Sequence, residues 1–210
     1  SVLLIAAAAL AEDWPQYRGP DRDGTSPEKH LLSRFGPDGP KVLWTARLGE
    51  GWGGPAVRDG KVYLLDRQGD EDILRVWDLK TGKELGANKY RAPGKISHEG
   101  SRSTPTVGEK FVYTVGEHGN LVCWDRSTLR PVWTKHLLKD FGGELPRWGV
   151  TQSPLLVGEL LIVAPQGAKA GIAALDKARG EVRWASRPVG PMDYTSPVYT
   201  EIGGVPQIIV

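Results

Sequence analysis

"SPLLVGELLIVAPQGAKAGIAALDKARGEVRW" (Ser153–Trp184) decides the fold. It opens on Ser-Pro, passes through short apolar runs broken by Gly turns, reaches Asp176, turns, and closes on Trp184. Runs of four or five apolar residues between turn signals suit strands rather than helices. The same phrase recurs on both sides. Small-residue-Pro openings stand at Gly54-Pro55, Thr104-Pro105 and Ser196-Pro197, and each leads into a β-rich run: "KVYLLD", "FVYTVG" and "PQIIV". Asp closings stand at "DLKTGKEL" (Asp78–Leu85) and "DRSTLRPVW" (Asp125–Trp133). The repeat length is roughly 43–50 residues, a spacing that, filled by four short strands, predicts propeller blades.

A blade is a small antiparallel sheet that cannot bury its own faces, so neighbouring copies must stack. Pro is tolerated at the first residue of a strand, where a missing donor breaks no ladder. The Asp phrase has its own mechanism. The carboxylates of Asp78, Asp125 and Asp176 are placed to accept N–H groups from the turn that follows. Gly82 and Gly180 supply the left-handed residue such a turn needs. Leu129 holds that slot in the second copy, so its turn is expected to differ or carry strain. Trp44, Trp133 and Trp184 are read as flat surfaces docking one blade on the next. The first copy has Leu85-Gly86 there, so one such contact is expected to be missing.

The composition supports an all-β reading. The 210 residues hold 27 Gly, 16 Pro and 8 Trp against 3 Phe, which is turn-rich and aromatic-skewed. A net charge of +2 with dispersed Lys and Arg argues against nucleic acid as a partner. "SVLLIAAAALA" (residues 1–11) carries no charge and ends in Ala-x-Ala. It is too short to span a bilayer, so no stable membrane span is expected, and it resembles the remnant of a secretory signal peptide. That implies a periplasmic or secreted protein. Residues 12–40 read as an irregular lead-in, and residues 41–210 as the repeats. Cys123 is the sole cysteine, so it has no intrachain disulfide partner.

As a set, these motifs resemble the repeat of the pyrroloquinoline-quinone-like (quinoprotein-like) β-propeller family, over Trp44 to Val210. "DWPQYRGPDRDGTS" (Asp13–Ser26) resembles the start of secreted bacterial members. The resemblance implies four-stranded antiparallel blades, about three and a half here out of a ring of seven or eight, so the chain is expected to be part of a longer propeller. WD40 repeats compete through "VWDLKTGKEL" (Val76–Leu85), but "ALD" lacks the Trp and no Gly-His pair stands upstream.

The family contains quinone- and calcium-dependent alcohol and sugar dehydrogenases, and also the propeller subunit of the outer-membrane assembly machinery, a scaffold without chemistry. The large alcohol dehydrogenases carry a disulfide between neighbouring cysteines beside the quinone, which a single Cys123 cannot form. Sugar dehydrogenases lack it, so the enzyme reading stays open. The His residues show no metal-ligand spacing, and "GDEDILR" (Gly69–Arg75) reads as a solvated hairpin rather than a calcium loop. The expected function is therefore an extracytoplasmic binding or assembly scaffold, with no cofactor and no catalytic residue. The alternatives are a pyrroloquinoline-quinone and calcium dependent dehydrogenase and a WD40-like interaction scaffold.

Candidate ligand-binding residues lie in the loops before each Ser/Thr-Pro, which the family geometry brings to the channel rim. They are His98, Glu99, Arg102, Arg147, Trp148, Gln152, Asp193 and Tyr194. Mixed polar, charged and aromatic loops of this kind suit a protein, peptide or glycan ligand on the propeller face.

Overall fold

The computed structural model describes residues 12–29 and 31–210; the signal-like segment and His30 lie outside the described residues. Three four-stranded antiparallel meanders follow one another. The first is β1 (Ala56–Arg58), β2 (Lys61–Gln68), β3 (Glu71–Asp78) and β4 (Glu84–Arg91). The second is β5 (Thr106–Val107), β6 (Phe111–Val115), β7 (Asn120–Asp125) and β8 (Pro131–His136). A short helix, α1 (Leu137–Phe141), then leads to β9 (Leu155–Val157), β10 (Leu160–Val163), β11 (Ala173–Asp176) and β12 (Val182–Ala185). Finally β13 (Val198–Ile202) and β14 (Val205–Ile209) form a two-stranded sheet. The repeat pattern gave no hint of α1, which is held by His136 at its start and left-handed Gly142 at its end.

First strands lie side by side, β1 against β5 and β9 against β13, whereas β4, β8 and β12 are largely exposed. The sheets therefore radiate from an axis lined by first strands, as propeller blades do. The middle blade buries both faces. Tyr113, Val115, Leu121 and Cys123 meet Leu161, Val163 and Leu175 of the third blade. Val112, Val122 and Trp124 meet Tyr63, Leu65, Leu74 and Val76 of the first. That two-sided burial is why "LVCW" is apolar throughout instead of alternating. Burial pushes the Cys123 thiol up to about 12, so it packs as a small apolar group.

The Asp turns form as the residue pattern predicts. Asp78 Oδ1 accepts from the Thr81 backbone N–H at 2.7 Å. Asp125 Oδ1 accepts from the Ser127 and Thr128 amides at 3.0 and 2.8 Å, and Asp176 Oδ1 from the Ala178 and Arg179 amides at 2.9 Å each. Gly82 and Gly180 take φ of 69° and 72°. Leu129 takes φ of 57° and closes on Asp125 O at 2.8 Å, so the second turn keeps the shape and bears the strain.

Docking explains that substitution. Trp44 lies over Gly82, its Nε1 donating to Leu79 O at 2.9 Å, and Trp133 lies over Gly180, its Nε1 donating to Lys177 O at 3.2 Å. A Cβ would stand 2.5 Å from the first indole and 2.7 Å from the second. Between the first two blades the pair is inverted: Gly86 sits where Trp would, and the Leu129 side chain reaches it from the turn. Asn88 Nδ2 donates to Leu129 O at 2.8 Å. The expected missing contact is thus replaced rather than lost.

The lead-in has no regular element, yet it is fixed to the axial edges. Trp14 bridges Val57, and Pro15 O accepts the Val107 N–H at 2.8 Å. Arg22, 3% exposed, donates to the carbonyls of Ser153 (3.0 Å), Pro154 and Pro197. Exposed edges of first strands are covered in this way. Desolvation pulls the Arg22 guanidinium down to about 10.

Candidate functional site

In each meander the β2–β3 type hairpin and the long loop to the next blade fall at one end, and the Asp turns at the other. The loop end is built on buried charge. Arg67 on β2 is 1% exposed; its Nη1 lies 2.9 Å from Asp72 Oδ1 and its Nε 3.1 Å from Glu117 Oε1. It also donates to Ala92 O and Gly94 O. Glu117, in the β6–β7 hairpin, is fully buried, and His118 Nε2 stands 3.2 Å from its Oε1. Burial pushes the Asp72 carboxyl up, against the pull of Arg67. "GDEDILR" is therefore not simply a solvated hairpin, because its Asp72 is a core ion.

This network holds the loop that follows β4. Glu117 accepts the Gly100 N–H, and its Oε2 lies 3.5 Å from Arg102 Nη1. Arg102 donates in turn to the carbonyls of Gly100 (2.8 Å), Ser97 (3.3 Å) and His98. His98 is thereby kept at φ of 63°, an unusual state for a side-chain-bearing residue. Its ring is turned towards two indoles, Trp52 at 6.0 Å and Trp148 at 5.7 Å between centroids. The Trp148 amide faces Tyr194 Oη at 3.3 Å, and the Arg147 guanidinium lies 4.8 Å above the Trp148 ring. Trp52, His98, Trp148 and Tyr194 come from four successive loops, and all four are exposed.

The eight expected rim residues divide. His98, Trp148, Tyr194 and Arg147 come together, with Glu99 beside His98 in a groove of about 580 Å³. Arg102 positions that loop from beneath. Asp193 Oδ1 is turned to its neighbour, accepting the Tyr194 N–H at 2.8 Å. Gln152 is not at the rim: it is 1% exposed, and its amide makes two 2.7 Å bonds to the Ala164 backbone. Trp52 was missed because it lies in a Gly-rich stretch before Gly-Pro, without the Ser/Thr-Pro mark used to find the other loops.

A larger groove of about 630 Å³ lies between the second and third blades at the Asp-turn end. Its Lys177 and Glu159 pair with each other at 2.7 Å. Along the described axial wall Arg22 takes the carbonyls of Ser153, Pro154 and Pro197, and among the described residues no three His, Cys, Asp or Glu converge as metal ligands. Nor is any helix among the described residues long and apolar enough to cross a membrane.

Comparison with solved structures agrees with the architecture. The quinohemoprotein alcohol dehydrogenase of Comamonas testosteroni matches over 82% of this chain and 26% of its own, at 20% identity and a TM-score of 0.57. BamB from Moraxella catarrhalis matches over 65% of this chain and 36% of its own, at 19% identity and a TM-score of 0.46. The chain thus spans about a third of these proteins or less. No curated protein matches it. The family model described as outer membrane protein assembly factor BamB matches residues 69–204, well over half of the chain. The chain belongs to this family of pyrroloquinoline-quinone-like β-propeller repeats.

Proposed function

We propose that this protein is an extracytoplasmic binding and assembly scaffold whose loop end holds a protein partner, without catalysis of its own. The observation that carries this reading is the rim itself: four exposed rings from four successive loops, on a base of buried ion pairs. Exposed aromatic side chains with few rotamers give contact area at low entropic cost, which suits recognition. A base of buried ion pairs keeps the loops in one shape before a partner arrives, lowering the ordering cost of binding. The family description, an outer membrane assembly factor, supports a protein partner and a periplasmic address.

The second reading, a quinone- and calcium-dependent dehydrogenase, draws on the likeness to the alcohol dehydrogenase, which at 20% identity concerns fold alone. The two separate in one assay. Full-length protein is incubated with pyrroloquinoline quinone and calcium, and dye reduction is followed with alcohols and sugars. The scaffold reading expects no turnover above the protein-free rate; substrate-dependent turnover would overturn it.

A further inference from the structure

Resting on the scaffold reading, we infer that the cleft between Trp52 and His98 takes an arginine or lysine side chain from an extended basic segment of the partner protein. The cleft is bounded by Glu50, Trp52, Ile96, His98 and Glu99. Glu50 and Glu99 come from adjacent loops, and neither carboxylate makes an ion pair or accepts a hydrogen bond among the described residues. This contrasts with the same end of the molecule just beneath. There Asp66, Asp72 and Glu117 are each matched to an arginine, at 3.0 Å (Arg75), 2.9 Å (Arg67) and 3.1 Å (Arg67). Arg102, a cation of the same loop as His98 and Glu99, is turned to Glu117 and to its own loop carbonyls.

The Trp52 indole, 65% exposed, lines the same cleft as the two free carboxylates. A cation over such a face is held by the ring quadrupole, and flanking carboxylates add charge-assisted hydrogen bonds. The neighbouring loop displays the same chemistry within the chain, where Arg147 covers the Trp148 ring at 4.8 Å. Trp52 has the ring and the counter-charges without a cation of its own. The charge complement of the cleft is therefore a basic side chain. Anchoring Gly51 and Trp52 to Ser101 (Trp52 N–H to Ser101 O, 2.7 Å) fixes the walls before it enters.

The test uses the full chain and the peptide acetyl-Gly-Arg-Gly-Arg-Gly-amide, with a citrulline version as a neutral isostere, read by two-dimensional NMR of the Trp indole N–H signals. The arginine peptide should shift the Trp52 signal saturably, and the citrulline peptide should not. Glu50→Gln and Glu99→Gln should each weaken binding about two- to fivefold, as exposed ion pairs do, and Trp52→Ala, read on the backbone amides of Gly51 and His98, by a similar factor. Raising salt from 0.1 to 1 M should weaken it further. Glu109→Gln with Glu159→Gln, at the opposite end, should change nothing. Equal binding of the citrulline peptide, or unchanged affinity in the Glu50→Gln, Glu99→Gln double variant, overturns the inference. Should either of these results appear while a protein partner still cross-links to the rim, only the basic-side-chain assignment falls and the scaffold reading stands.

Discussion

Position 86 and position 129 exchange the roles that Trp and Gly hold at the other two blade junctions. Elsewhere an indole covers a left-handed Gly; here a left-handed Leu129 covers Gly86. Gly86→Trp alone should therefore clash with Leu129 and cost about 1–3 kcal/mol. Combined with Leu129→Gly it should recover most of that loss, a coupling that a double-mutant cycle in urea would read. Additive effects would mean the two positions are independent. The Asp turns make a pH prediction. Hydrogen bonds from Ser127 and Thr128 bring the Asp125 carboxyl down to about 2, and those from Thr81 and Arg183 lower Asp78 and Asp176. A carboxyl whose folded value lies below its unfolded value of about 3.9 stabilises the fold above that pH and loses the contribution as pH falls towards 2. Urea midpoints should thus drop between pH 4 and 2, and Asp125→Asn should flatten that acid limb. Asp72 acts with the opposite sign, since burial raises it.

At the scale of elements, the repeat was legible because each blade repeats one chemistry: Pro at a strand start and Asp closing a left-handed turn, which holds Gly in two blades and Leu129 in the other. The deeper part of the candidate site was not. Arg67, Asp72 and Glu117 lie in two different blades, and nothing in the spacing of single charges says that they meet. Their neighbourhoods, "DRQGDED" and "GEHGN", look like solvated hairpins until the blades stack. Gln152 misled for the converse reason, because a polar residue before Ser-Pro can serve the backbone of its own blade. Removing one partner of a buried ion pair costs about 3–5 kcal/mol. Glu117→Ala should lower stability by that order and also release the Gly100 amide, which Glu117 accepts. Hydrogen exchange at Gly100 should accelerate more than at Val115; equal protection would detach the network from the loop.

At the scale of the whole molecule, the lead-in ties the three blades and the β13–β14 sheet together along the axis through Trp14, Pro15 and Arg22. Arg22→Ala leaves buried carbonyls without a donor, at about 1–3 kcal/mol. Limited proteolysis should then cut within residues 13–26 sooner than in the parent, while the blades stay intact. If the loop end holds a protein partner, site-specific photo-cross-linking in the native host will trap it there. A photoreactive residue at Trp148 or Tyr194 should give one discrete protein adduct, and the same residue at Glu109 or Lys177, at the Asp-turn end, should give none. Adducts at the Asp-turn end with none at the rim would contradict the account.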